Sequence, residues 1–290
     1  MTIPSQPGNY TPQADRSTVP LGPESLTWKL FGDMRFALVA GRTATLQAMH
    51  PGVGAVLWDS SRFRWELADR LWRSVPPILG VIYDEPKQST GRTVRDFHKG
   101  MKGTDTTGRH WHALKPELFY WVHATFVESM VAAQQHFGTP LTPSEKDQLI
   151  AESPAYWATY GVRAPQEHWA DWADFEHYWN TTMENELERN RTTDFALHTR
   201  DALRPPPTNV PALLWSAVHR PAHASLSWVT NGVMSPQERE ILGLRWAQRD
   251  RLAFAATSAV VRQAWKLVPE DRGYFPRAAA GIARARMQSN

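Results

Sequence analysis

Cysteine is absent from all 290 residues. The chain therefore has no disulfide, no thiol nucleophile, no iron–sulfur cluster and no cysteine-ligated zinc. The same absence excludes a thiolate-ligated haem and a haem attached through C-x-x-C-H, so any haem must be held non-covalently, most simply by histidine. Lysine is scarce: 7 of the 32 basic residues, which leaves 25 arginines. Arginine is the better partner for carboxylates and planar anionic groups, although a codon bias accounts for most of them equally well. No run of about 18 apolar residues exists, so nothing in the sequence is expected to span a membrane. Residues 1–25 have no apolar signal core and no cleavage site; they read as a polar, proline-rich lead-in, and a cytoplasmic location is the default expectation. The net charge of +3 is small and the basic residues are interleaved with acids, so no nucleic-acid stripe is expected, although the end, PRAAAGIARARMQ, is basic.

What is present points to helices. Hydrophobic residues make up 42% of the chain, enough for a substantial core. Period-two alternation is hard to find. Lys115-Pro116-Glu117 opens a helix that can run to Phe137 and stop at Gly138. Thr142-Pro143-Ser144-Glu145 and Ser235-Pro236-Gln237-Glu238 are capping boxes with proline in the first turn, the second opening a long helix toward Trp265. A helix near Pro165 would align Trp169, Trp172, Phe175, Trp179 and Met183. Residues 33–49 and 61–74 also read as helices, separated by a break at His50-Pro51-Gly52. Loops are expected at 76–77, 139–143, 204–211 and 272–276. These elements predict an all-α, single multi-helix domain over 26–275, with 1–25 as the lead-in and 276–290 as a basic tail.

Most catalytic signatures are missing. Gly52-Val53-Gly54 lacks the third glycine and the preceding strand of a dinucleotide loop. There is no phosphate loop, no G-x-S-x-G elbow, no H-E-x-x-H and no paired Glu-x-x-His. Asp174-Phe175-Glu176-His177 is a lone Asp-x-x-His on an apparent surface helix. His110-Trp111-His112 would need further metal ligands from elsewhere. The stretch from Arg92 to Phe137 stands out, with His98, His110, His112, His123 and His136 among the eleven histidines. Phe119, Tyr120, Phe126, Val127 and Met130 neighbour His123 at helical spacing. Such a histidine, facing a second basic and histidine-bearing segment, suits an internal haem; it suits equally a hydrogen-bonded core histidine. The fourteen tryptophans suit an apolar ligand pocket or a packed core.

His50-Pro51 after an amphipathic helix, Arg95-Asp96-Phe97-His98 with Gly103, and Ala113-Leu114-Lys115-Pro116-Glu117-Leu118 running into Trp121-Val122-His123-Ala124-Thr125 together resemble the MpaB/rubber-oxygenase family, over roughly residues 30 to 265. The resemblance implies an all-helical fold around a haem b. It implies that His123 is the proximal iron ligand, with Arg95 and His98 on the distal face as the catalytic pair. A histidine stands at 98 where the family's latex-clearing members carry lysine, so His98 either ligates iron or hydrogen-bonds bound oxygen. Phe119, Phe126 and Val127 would line the cofactor, and Arg92, with Lys99 or Lys102, would meet its propionates. The second ring nitrogen of His123 needs an acceptor, for which Glu128 or a backbone carbonyl is available. His50 has no assigned chemistry beyond satisfying backbone groups at the helix break. The implied activity is a haem b-dependent oxygenation, with dioxygen, of a small hydrophobic, unsaturated lipid or isoprenoid-like substrate. Three readings compete: a bis-histidine haem carrier or sensor, a non-haem metalloenzyme using His98, His110, His112 and His123, and a helical interaction module without cofactor.

Overall fold

Helix α6, Pro116–Phe137, is apolar on nearly every face, and a helix of that kind must be surrounded. The computed structural model, which describes residues 21–60, 66–198, 210–269 and 272–289, places it at the centre. In chain order the other helices are α1 (Leu26–Phe31), α2 (Phe36–Met49), α3 (Pro51–Asp59), α4 (Leu67–Tyr83), α5 (Thr90–Asp96), α7 (Pro143–Ala158), α8 (Trp172–Asn185), α9 (Arg191–His198), α10 (Ala212–Val233), α11 (Pro236–Leu242), α12 (Gln248–Trp265) and α13 (Pro276–Ser289). Two three-residue strands, β1 (Lys102–Thr104) and β2 (His110–His112), form an antiparallel hairpin with Gly103 opposite Trp111. The fold is all-α, as the sequence predicts. No described helix is long and apolar enough to cross a membrane.

Helix α2 lies along α6, and the two are joined by polar groups that neither can expose. Thr43 and Ser129 hydroxyls meet at 2.6 Å, Gln47 donates to Thr125 Oγ1 at 2.9 Å, and Trp121 Nε1 donates to the Leu46 carbonyl at 3.0 Å. Buried Arg42 donates to Glu128 on α6 at 2.5 Å and, through two nitrogens, to Glu238 on α11 at 2.6 and 2.8 Å. Burial alone depresses the Arg42 pKa, but the two carboxylates outweigh it and hold the guanidinium more firmly charged than usual. Burial pushes the Glu128 carboxyl up, against the pull of Arg42.

Both capping boxes form as read: Thr142 and Glu145 exchange bonds of 3.3 and 2.7 Å, and Ser235 and Glu238 bonds of 3.2 and 3.1 Å. The helix opened by Ser235 does not continue to Trp265. Gly243, with φ at +67°, ends α11, and α12 starts afresh at Gln248. Pro76-Pro77 lies inside α4 instead of in a loop, because the turns beyond it bury Leu79, Val81, Ile82 and Tyr83. The helix expected near Pro165 starts only at Trp172, where Asp171 accepts the Asp174 N–H at 2.9 Å, so Trp169 precedes it. The break at His50 is followed at once by α3, and its carboxyl-side neighbour β1 runs so close that a Cβ on Gly103 would sit 2.3 Å from the Ala55 backbone. Of the expected linker 204–211, residues 204–209 lie outside the described residues, as do 1–20 of the lead-in.

The segment read as a basic tail is instead helix α13. Ala278 is fully buried, Arg277 pairs with Asp84 on α4, and Arg284 donates to the Tyr83 carbonyl at 2.6 Å. Alanine and glycine at one face let this helix lie flat on α4, which arginine counting does not reveal. The two ends of the described chain also meet: Met34 N–H donates to the Gly273 carbonyl and Phe275 N–H to the Gly32 carbonyl, each at 2.9 Å.

Removing Arg42 strands the buried Glu238 carboxylate and the half-buried Glu128. Arg42→Met is expected to cost about 3–5 kcal/mol in urea unfolding, and Arg42→Met/Glu128→Gln/Glu238→Gln to cost less than the single change.

Candidate active site

His123 lies near the middle of α6 with 1% of its surface exposed. Its Nε2 meets Ser153 Oγ on α7 at 2.8 Å, and its Nδ1 has no hydrogen-bond partner. Ser153, and not Glu128, is thus the group that orients the ring; Glu128 is committed to Arg42. Aromatic rings enclose the imidazole: Tyr156 at 4.7 Å, Trp157 at 5.4 Å, Trp169 stacked at 6.0 Å and 3° between planes, and Tyr160 at 6.2 Å. Tyr120 closes the cage at 6.3 Å, and the half-buried His168, whose Nδ1 also lacks a partner, packs on Tyr120. Burial, and then the proximity of His168, push the His123 pKa down to about 3. The ring is neutral; Ser153 holds Nε2, and Nδ1 stays free of any protein partner.

Helix α5 and the turn after it carry the second group of expected site residues. His98 follows the end of α5, with Nδ1 donating to the Val94 carbonyl at 2.9 Å, which leaves the lone pair on Nε2. Burial is the main cause of its lowered pKa. Its ring meets the edge of Phe119 at 5.7 Å, and Phe119 in turn contacts Tyr160 at 5.3 Å and Trp157 at 6.2 Å. His98 and His123 therefore both touch one aromatic layer made by Phe119, Trp157 and Tyr160. Arg95 pairs with Asp96 at 2.7 Å and reaches the Gly161 carbonyl at 3.4 Å. Arg92 is exposed and, like Arg95, lies over Gly161, the residue after Tyr160. Lys99 pairs with Asp96 at 2.9 Å and Lys102 is exposed on β1. Val127 is buried in the main core, while Phe126 points its ring at Phe31, 5.7 Å away.

The other histidines are elsewhere. His110 and His112 sit on β2, where His110 bonds Thr104 Oγ1 at 2.9 Å and His112 accepts the Leu114 N–H at 3.1 Å. Among the described residues, no three His, Asp or Glu side chains gather where a metal ion could be held by them alone. His50 caps α3 by accepting the Gly52 N–H at 3.1 Å, as its place at the break suggests, and its Nε2 also meets Glu186 at 3.1 Å. Ser153, His168, the α7 rings Tyr156 and Trp157, and Tyr160 in the turn after α7 are not marked by any motif in the sequence. Helical spacing puts Ser153, Tyr156 and Trp157 on one face of α7, but nothing in the sequence says that this face meets His123. His168 lies in an irregular segment, where spacing carries no information.

A match to the family model described as ER-bound oxygenase mpaB/B'/Rubber oxygenase, catalytic domain, covers residues 28–263. The chain belongs to this family of oxygenase catalytic domains. Comparison with curated proteins and with solved structures gives no match.

An unfolded chain takes up a proton at His123 near pH 6.5, whereas the folded chain resists until about pH 3. Stability from the neutral ring is complete above pH 6.5 and is lost as the pH falls toward 3. His136, pushed down to about 4 by burial, acts in the same direction. Urea unfolding of wild type should weaken between pH 7 and 4, with His123 contributing on the order of 3 kcal/mol. A His123→Phe variant should show a visibly flatter dependence; equal slopes would contradict the assignment.

Proposed function

We propose that the protein is a haem b-dependent oxygenase in which His123 is the proximal ligand to the haem iron and the substrate is a small hydrophobic, unsaturated molecule of the lipid or isoprenoid kind. The observation that carries this reading is the state of the His123 imidazole. It is buried and neutral, one nitrogen is held by Ser153 Oγ at 2.8 Å, and the other has no protein partner. A ligating histidine needs that division: one nitrogen for the metal and the other tethered to fix ring orientation. The donor chemistry thus fits a histidine that would hold a metal. The space around it is filled by Tyr156, Trp157, Tyr160 and Trp169, so admitting a macrocycle requires these rings to turn outward.

Bound haem would supply an iron centre that activates dioxygen. The chain's own residues supply the rest. Ser153 fixes the direction of the His123 ring, and burial keeps that ring unprotonated so that its lone pair stays available. His98, against Phe119, would present its Nε2, and Arg95, now paired with Asp96 and bonded to the Gly161 carbonyl, would have to leave Asp96 to meet negative charge developing on oxygen. Arg92, exposed beside Gly161, would be the partner for a propionate carboxylate, with Lys99 and Lys102 close in sequence. The aromatic walls exclude water and favour an apolar substrate.

Protein produced with ample iron and haem precursor should show a Soret band that His123→Ala weakens or abolishes. Wild type that stays colourless after haem addition would overturn the reading. Ser153→Ala should retain haem but bind it about 10–100-fold more weakly in haem titrations, because it removes only the tether.

A further inference from the structure

Helix α10 is a surface helix of 22 residues with one charged residue, Arg220. Its Leu213 is 86% exposed and its Leu214 57%. Helix α12 adjoins it where Phe254 packs on Gly232 and Trp228. Phe254 and Ser258 turn inward from α12, and helical spacing sets Leu252, Ala256, Ala259, Val260 and Gln263 on the opposite, exposed side. Leu252 is 63% exposed, Val260 67% and Leu267, just past the helix end, 84%. Seven of the eleven large apolar side chains exposed among the described residues lie on α10, on α12 or at Leu267, so the exposure is concentrated and not scattered.

The charge on α12 is of one sign. Arg251, Arg262 and Lys266 fall along one edge of the apolar face, and Arg249 stands at its start. None of these four has a carboxylate partner among the described residues. Elsewhere Arg35, Arg42, Arg73, Arg189 and Arg277 each hold one. The single acid of α12, Asp250, is turned back to the helix start, where it accepts the Ala247 N–H at 3.1 Å. Uncompensated cations along an exposed apolar face match a surface that offers both negative charge and hydrocarbon. A second copy of the chain on this face would set the same cations against each other.

We propose that α12, with α10 beside it, docks on an anionic lipid surface, where Leu252, Val260 and Leu267 enter the hydrocarbon boundary and Arg251, Arg262 and Lys266 meet the headgroup phosphates. The attachment is peripheral, since no described helix is long and apolar enough to cross a bilayer. It brings the protein to the phase that dissolves a water-insoluble substrate; that consequence rests on the oxygenase reading, whereas the attachment does not.

Flotation of the full chain with lipid vesicles tests this. Vesicles of phosphatidylcholine with about one-fifth phosphatidylserine should carry the protein upward, vesicles of phosphatidylcholine alone should bind it about tenfold less, and added salt should release it. Leu252→Ser/Val260→Ser/Leu267→Ser and, separately, Arg251→Gln/Arg262→Gln/Lys266→Gln should each weaken attachment about tenfold. The three apolar side chains are exposed, so their replacement should leave thermal unfolding unchanged; the charge variant is the second test should it not. Wild type that does not float, equal attachment to neutral vesicles, or variants that float as wild type does would overturn the proposal. A wild type that sediments as a dimer, with the apolar variant a monomer, would overturn it too and give this face to a second copy. Haem content and oxygenase activity enter none of these readouts.

Discussion

The buried polar groups of α6 have to find their partners inside the protein, because most of the helix is surrounded, and the rest of the architecture answers to that constraint. On one side the answer is α2, whose Thr43, Gln47 and Leu46 carbonyl take up Ser129, Thr125 and Trp121. On the α11 side it is Arg42, which bridges Glu128 to Glu238. On the α7 side it is Ser153, which takes one nitrogen of His123. The second nitrogen of that ring is left over. Apart from the Tyr120 hydroxyl it is the one buried side-chain polar atom described on α6 without a partner, and a buried ring nitrogen left uncommitted is an unusual thing to keep.

Much of this was legible in the sequence, for reasons that can be named. The proline-led capping boxes at 142 and 235 and the Gly138 stop are local chemistry, and local chemistry is written locally. His123 was visible because five apolar neighbours recur around it at helical spacing. The hairpin escaped because three-residue strands are too short to show alternation, even though Asp105, which accepts from Thr107, Arg109 and Trp111, is a recognisable turn residue. Pro76-Pro77 misled because proline is read as a breaker, while the burial of the turns after it carried the helix through. Glu128 seemed available to His123 because it lies on the same helix, but at five residues' remove it points to the opposite side, toward Arg42. Ser153 and His168 could not be found at all, since their relation to His123 exists only in three dimensions.

Two sides of α6 have contrasting electrostatics. The His123 side is apolar and aromatic, and burial strips protons from its histidines. The His50 side is open, with Glu117 and Glu186 exposed at the rim and His50 hydrogen-bonded to Glu186 behind them. Tyr120 belongs to both, so its ring stands between an apolar environment and one rimmed by carboxylates.

The junction where Met34 and Gly32 bond to Gly273 and Phe275 joins parts of the chain some 240 residues apart. Glu152 on α7 likewise accepts the Leu26 and Thr27 N–H groups at 2.9 and 2.7 Å. Tyr83 on α4 and Glu152 on α7 can hold α1 once they have been made, whereas the junction itself waits for Gly273 and Phe275. Loop closure over such a span is entropically slow but costs little more than a shorter one would, so α13 and the junction are expected to dock last, closing the molecule like a clasp around a centre assembled earlier.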